Sequence, residues 1–326
     1  MKREKSVKKT VKFILKLAAS AIISAAFLCT VCYFYYNLPV HFTNEKGYTD
    51  YLWEADKQYY KCTEGYGSGK TNNEGLLNAV DYTGQKFDVL LVGSSQFEGQ
   101  CVKQSETIAS YYNEMSDGSF AYSMGVSGHD FCRCVQNLDK ALERYQPEEC
   151  TVLEISNLLL KEEDMDGALN GEIAKLNSVE NKYIIMLEKI PLLRHLYNQM
   201  DNVLHKNVSS RASEQEEPLN TEKLEALIQY VSSLKDKYGT RIVIVYHQTP
   251  ELVDETQKAY EQEWSLLCSK YGIEWLNVLE DFESSAENGV YCYGFINTLP
   301  QKGHLNKNGN KIIAERLCEA VSGGKR

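Results

Sequence analysis

Net positive charge is absent outside the first sixteen residues. Seven lysines and arginines against Glu4 give that segment +6, and since the whole chain carries −10, the rest carries −16. Phosphate binding needs clustered Lys and Arg, so nucleic acid is not expected as a partner. Metal-type cysteine spacing is missing too. The ten cysteines are scattered. Cys132 and Cys134, after His129, lie too close together for a zinc knuckle and lack a second ligand pair, so neither metal nor cofactor is expected. No disulfide connectivity can be read from such spacings. Cys134, Cys150, Cys268 and Cys318 fall in helix or strand patterns, as small buried hydrophobes do. The stretch Gly65-Tyr66-Gly67-Ser68-Gly69-Lys70-Thr71 lacks the first glycine of a phosphate-binding loop. Glu64 holds that place and no good strand precedes it, which argues against a nucleotide site. Gly125-Val126-Ser127-Gly128 is followed by His129, so the Gly-x-Ser-x-Gly elbow is absent as well.

What is present begins with a membrane signal. Residues 1–16 form a basic tail, and 17–36 are twenty residues without a charge, enough to span the roughly 30 Å of a bilayer as a helix. Tyr33 to Tyr36 resemble an interfacial aromatic belt, and the lysines on the near side place the N-terminus in the cytoplasm and the rest outside it. Tyr-Tyr-Asn-Leu-Pro follows instead of a small-x-small cleavage site, which favours a retained single-pass anchor over a signal peptide. Residues 37–86 are rich in Tyr, Gly, Asn and Lys and show little periodicity, and they read as a stalk.

From residue 87 strands and helices alternate. Phe87–Val92, Phe120–Ser123, Cys150–Ile155, Arg241–Tyr246 and Ile273–Val278 read as strands. Ser105–Met115, His129–Tyr145, Leu219–Tyr238, Val253–Tyr271 and Leu305–Val321 read as helices. Residues 158–218 break the rhythm and read as a helical insert, with Tyr183–Leu204 interrupted at Pro191 and a mobile polar loop at Ser209–Pro218; it is a candidate cap. The alternation predicts an α/β three-layer sandwich with a parallel sheet. Ligands in such folds sit outside the carboxyl ends of the strands. Ser95, Gly125, Ser127, Asn157 and His247 all follow directly on expected strands.

Ser95 lies in Val92-Gly93-Ser94-Ser95-Gln96-Phe97-Glu98-Gly99, between a strand end and a helix start. A serine there has free backbone N–H groups beside it and becomes a nucleophile if a base takes its proton. Read blandly, the same serine is a turn residue or helix N-cap. His304, in Gly303-His304-Leu305-Asn306, is the candidate base. No lysine lies close to Gly93-Ser94-Ser95, which ranks a phosphate binder last. His129 with Asp130 reads as a helix start, or as a second base. His247 lines or caps the pocket, while His195 and His205 are ordinary residues of the insert.

Three further blocks join the first. Tyr122-Ser123-Met124-Gly125-Val126-Ser127-Gly128, Thr151-Val152-Leu153-Glu154-Ile155-Ser156-Asn157 and Gly303-His304-Leu305-Asn306-x-x-Gly309 follow in order. Together they resemble the SGNH/GDSL hydrolases in a Gly-Ser-Ser variant, over residues 87–326, with a flavodoxin-like sheet. The resemblance implies that Ser95 is the nucleophile and His304 the general base. It implies that the N–H groups of Ser95 and Gly125 form an oxyanion hole, joined by Asn157 unless Asn157 is a strand-end turn residue. The third block lacks the family's Gly-x-Asn-Asp. The family's acid falls three residues before the histidine, where this chain has Gln301. The orienting group is therefore open: a Ser–His dyad, a carboxylate from elsewhere (Glu98, Glu154 or Asp281), or activity that is weak or lost.

The resulting expectation is a membrane-anchored, extracytoplasmic serine esterase or O-acyltransferase. Its substrates would be acyl esters, acetyl included, on a cell-envelope glycan, and its partner a membrane-bound acyl-transfer protein. Anchored proteins resembling those of teichoic-acid D-alanylation and alginate acetylation suggest this substrate class. The alternative is a weakly active or inactive envelope protein that uses the same pocket to bind a glycan or that membrane partner.

Overall fold

In the computed structural model, which describes residues 2–174, 182–205 and 219–323, the uncharged run, all but its last residue, lies within one long helix, α1 (Lys2–Tyr35). Phe13, Ile22, Ile23 and Phe27 on it are exposed. It is the one helix among the described residues long and apolar enough to cross a membrane.

Residues 37–86 are not a free stalk. They carry five short strands: β1 (Tyr36–Asn37), β2 (His41–Thr43), β3 (Tyr51–Trp53), β4 (Gln58–Lys61) and β5 (Gly67–Lys70). β4 pairs antiparallel with both β1 and β5, and β2 pairs with β3. Leu38, Tyr59 and Leu77 form a small core of their own. Polar contacts fasten the segment to the body. Asn78 accepts from the Ser123 N–H at 2.9 Å and donates to the Ser123 carbonyl at 2.6 Å. Trp53 Nε1 donates to Glu98 at 2.7 Å, and Glu74 accepts from Tyr145 at 2.6 Å. Strands of two to four residues are too short to show alternation, and side-chain anchors leave no hydrophobic period, which is why the segment reads as irregular.

The body is a five-stranded sheet of β6 (Val89–Gly93), β7 (Ala121–Gly125), β8 (Cys150–Ile155), β9 (Arg241–Tyr246) and β10 (Glu274–Asn277). The spatial order is β7-β6-β8-β9-β10, and every pairing is parallel. This is the flavodoxin-like order, whose crevice opens where the chain reverses direction across the sheet, between β6 and β8. A short helix, α2 (Ser95–Glu98), leads from β6, and α3 (Ile108–Met115) returns to β7. The next crossover is α4 (Phe131–Tyr145). The long connection holds α5 (Glu162–Asn170), α6 (Lys182–Glu188), α7 (Pro191–His205) and α8 (Thr221–Tyr238). Then come α9 (Glu255–Lys270), α10 (Leu279–Glu287) and α11 (Lys307–Gly323).

Both sheet faces are buried, so the strands read as continuous apolar runs. Leu90, Val92, Leu153 and Ile244 face α4, α8 and α9, through Leu138, Leu227 and Trp264. Val89, Leu91, Val152 and Val243 face α3, α10 and α11, through Ile108, Phe282 and Leu317. Each fully buried aliphatic side chain contributes about 1.5–3 kcal/mol. Within the described part of the insert, α7 packs on α1 and β1, with His195 against the Tyr35 ring and Arg194 donating to the Leu38 carbonyl, while Leu159, Leu160, Lys161 and Asp164 at its start line a cavity at the β6 and β8 ends. The Ser209–Pro218 loop lies outside the described residues.

Candidate active site

Ser95 is placed by Ser94. Ser94 is the N-cap of α2: its Oγ accepts from the Gln96 N–H at 3.1 Å, and its own N–H and O–H donate to the two Glu154 oxygens at 2.7 Å. Ser94 is thereby committed to structure, and Ser95 at the first helical position is left half-exposed. Its N–H, one of the orphan donors of a helix start, has no acceptor among the described residues.

His304 comes from the turn before α11. Asn306 Oδ1 accepts from the Asn308 N–H at 2.8 Å, and Asn306 Nδ2 holds the carbonyls of Tyr291 and Gly294. Gln96 Oε1 accepts from the Leu305 N–H at 2.7 Å, tying this turn directly to α2. His304 Nε2 lies 2.9 Å from Ser95 Oγ. On its other side, Nδ1 lies 2.9 Å from both oxygens of Glu64, and the His304 backbone N–H donates to Glu64 Oε2 at 3.0 Å. When the imidazole is neutral, the carboxylate accepts the Nδ1 proton, which leaves Nε2 as an acceptor for the serine O–H.

Glu64 is the residue that the sequence reading passed over. It lies 240 positions from His304, in the turn between β4 and β5, and its one sequence signal is that it stands where a phosphate loop needs glycine. No spacing signal joins it to His304. Gly303 is what lets it approach: φ is +92°, and a Cβ there would fall 2.4 Å from Glu64 Oε2.

The carboxylate candidates named from sequence are all engaged elsewhere. Gln301 turns to Glu251 and not to the imidazole. Glu98 accepts from Trp53 and from the Ser127 N–H and O–H, clamping α2 to the turn after β7. Asp281 pairs with Arg316 at 3.3 Å. Glu154 is buried below Ser94 with its Oε1 3.3 Å from His247 Nε2, and His247 Nδ1 lies 2.5 Å from the Tyr293 hydroxyl. His247, fully buried, therefore braces the Ser94 turn from beneath through Glu154.

The expected oxyanion donors fare unequally. The Gly125 N–H already donates to Ser123 Oγ at 3.2 Å. Its lack of a side chain serves packing, because a Cβ would fall 2.0 Å from the Glu98 backbone nitrogen. In the same turn Gly128, at φ +82°, has an N–H without an acceptor among the described residues. Asn157 is exposed, and its Oδ1 accepts from the Leu159 N–H at 3.1 Å as a strand-end turn residue does. Its Nδ2 is left over. Asp130 caps α4, accepting from the Arg133 N–H at 2.8 Å. The neighbouring His129 is buried, 3.4 Å from Asp50. A cavity of 210 Å³ lies at the β6 and β8 ends, lined by Ser94, His129, Glu154 and Asn157.

The electrostatics follow from these contacts. Hydrogen bonding from His304 holds the Glu64 carboxyl below its ordinary range against the opposing effect of burial. Burial works against the His304 imidazolium. Hydrogen bonds and charge from Cys101 and Glu64 outweigh it and raise the group from 6.5 to about 9. Burial pushes Glu154 up, but His247 and the Ser94 donors win and its pKa is lowered.

No protein-family profile and no curated protein matches the sequence. Solved structures do. The chain is similar to the psychrotrophic esterase EstA from Pseudoalteromonas sp., at 10% identity over 73% of this chain and 97% of that one, TM-score 0.44. It is similar to the acetyl xylan esterase AlAXEase, at 14% identity over 72% and 98%, TM-score 0.41. A putative lipolytic protein of the G-D-S-L family from Desulfitobacterium hafniense DCB-2 matches at 12% identity over 72% and 98%, TM-score 0.40.

Proposed function

We propose that this chain is a membrane-anchored serine ester hydrolase or acyltransferase of the SGNH/GDSL type. The observation that carries the reading is the unbroken hydrogen-bonded chain Ser95–His304–Glu64, with 2.9 Å at each link. In this reading Ser95 Oγ attacks the acyl carbonyl carbon while His304 Nε2 takes its proton. The oxyanion is met by the N–H of Ser95 and, from the turn after β7, by the N–H of Gly128 in place of Gly125, with Asn157 Nδ2 as the side-chain donor. The tetrahedral intermediate collapses, His304 returns the proton to the leaving alkoxide, and Ser95 holds the acyl group. Water or an acceptor hydroxyl, deprotonated by the same imidazole, then releases it. Glu64 holds the ring and stabilises the imidazolium in both halves.

The anchor reading makes the domain extracytoplasmic. The substrates we propose are O-acyl groups, acetyl first, of an envelope glycan, supplied or received by a membrane acyl-transfer protein. The test is turnover of short-chain aryl esters by the full chain in detergent, with and without an added alcohol or glycan acceptor. Turnover lost in both Ser95→Ala and His304→Ala supports the reading. Turnover equal in all three proteins, or none from the parent chain toward any acyl length, overturns it. Acyl-ester product on the acceptor separates transfer from hydrolysis.

A further inference from the structure

Cys101 stands beside the Ser95–His304–Glu64 chain, and acyl transfer gives its thiol no bond to make or break. Its residue is 3% exposed. Its Sγ, a His304 ring nitrogen and a Glu64 oxygen all lie within 4.8 Å of one another. No other group of three His, Cys, Asp or Glu side chains converges in this way among the described residues. Thiolate, imidazole and carboxylate together are the donor set of a borderline-soft tetrahedral cation, Zn²⁺ before Mg²⁺ or Ca²⁺. Ligand bonds of roughly 2.0–2.3 Å would draw the three donors together around one ion and leave a fourth position open. Solvent has a route in: the Glu64 and His304 side chains are each 25% exposed, and a 330 Å³ cavity is lined by Cys101 and Asn306.

We propose that Glu64, Cys101 and His304 form an inhibitory zinc site. The inhibition rests on the Ser95–His304 reading; the binding does not. Binding takes the proton from the Cys101 thiol to solvent. An ion on Nδ1 displaces the Glu64 hydrogen bond and moves that proton to Nε2, which then has no lone pair for the Ser95 proton. An ion on Nε2 takes that lone pair directly. Either way the imidazole can no longer act as a base, so the free-cation concentration gates the enzyme.

The experiment titrates Co²⁺ and Zn²⁺ into the full chain in detergent, reduced and stripped of metal. The expected result is one ion per chain, with a thiolate-to-cobalt absorption band. C101S should lose the band and weaken Zn²⁺ binding by more than about 100-fold, beyond the cost of losing an outer-shell contact. E64Q, whose amide replaces a single oxygen, should also weaken Zn²⁺ binding. S95A should bind as the parent chain does, which keeps the metal site testable whatever role Ser95 has. Zn²⁺ should suppress ester turnover in step with occupancy, and a chelator should restore it. Absence of the thiolate band, or Zn²⁺ affinity unchanged in C101S, overturns the site. Full occupancy with undiminished turnover overturns its inhibitory role.

Discussion

Glu64→Gln removes one charge and almost no volume. The carboxylate takes two donors from His304, the backbone N–H at 3.0 Å and Nδ1–H at 2.9 Å. An amide offers one oxygen and one NH₂ group, so whichever way it turns, a donor faces a donor. The ring escapes the clash by accepting at Nδ1, which puts its proton on Nε2, facing Ser95 with the wrong tautomer. In a serine-protease triad the comparable change lowers kcat by about 10⁴-fold. Glu64 is a quarter exposed and partly screened, so a smaller loss of about 10³-fold in kcat, ~4 kcal/mol of barrier, is predicted. KM should change little, because Glu64 touches the imidazole and not the substrate. The assay is aryl-acetate hydrolysis by the full chain in detergent with chelator present. The same protein carries a pH signature. The base must be neutral, and His304 is raised to about 9 by Cys101 and Glu64 against burial. The parent kcat/KM should therefore climb with pH to a plateau above about 9, and the limb in E64Q should move to lower pH. A loss below about 10-fold (~1.4 kcal/mol), or a limb that stays in place, would refute the assignment of Glu64.

Gly303→Ala places a methyl 2.4 Å from Glu64 Oε2 at φ +92°. Thermal denaturation should show a loss of about 1–3 kcal/mol from backbone strain, together with reduced kcat. Glu154→Gln sets an amide against the buried His247 and the two Ser94 donors and should cost about 1–3 kcal/mol near neutral pH for the donor left unsatisfied. The folded-state pKa of Glu154 is depressed, so its stabilisation is present above the ordinary 4.5 and is lost as pH falls through the folded value. The Tm gap between parent and E154Q should close on acidification, and a gap independent of pH would contradict an ionised Glu154. His304 has the opposite sign. Its folded pKa is raised, so its stabilisation is complete below 6.5 and is lost as pH rises through about 9. Tm measured for the parent chain and H304Q across that interval should converge at the alkaline end.

The sheet is legible in the sequence because strands buried on both faces are continuous apolar runs, and turn residues end them abruptly. Cys150–Ile155 and Arg241–Tyr246 have the bounds that their pattern suggests. Ser95 and His304 are legible because a strand-to-helix turn and a helix start each impose local constraints that leave a residue pattern. Glu64 is not, since one hydrogen-bonded contact across 240 positions leaves no period or spacing to find. The same holds for residues 37–86, which lie on the body through Asn78, Glu74 and Trp53 and through Tyr48, Leu76 and Tyr82, positions too scattered to form a period. Gly125 shows the converse error. Its place in a motif-like block suggests a backbone donor, yet its N–H is spent on Ser123 and its missing Cβ makes room for α2.

The central claim is that Ser95 is a nucleophile activated by His304. The most direct measurement is mass spectrometry of the full chain in detergent after reaction with a fluorophosphonate. The account predicts one adduct per chain, on Ser95 Oγ, absent in S95A and slowed in H304A by at least about 10³-fold, the scale of losing the base. An adduct on another residue, or labelling of Ser95 at the same rate in H304A, would contradict it.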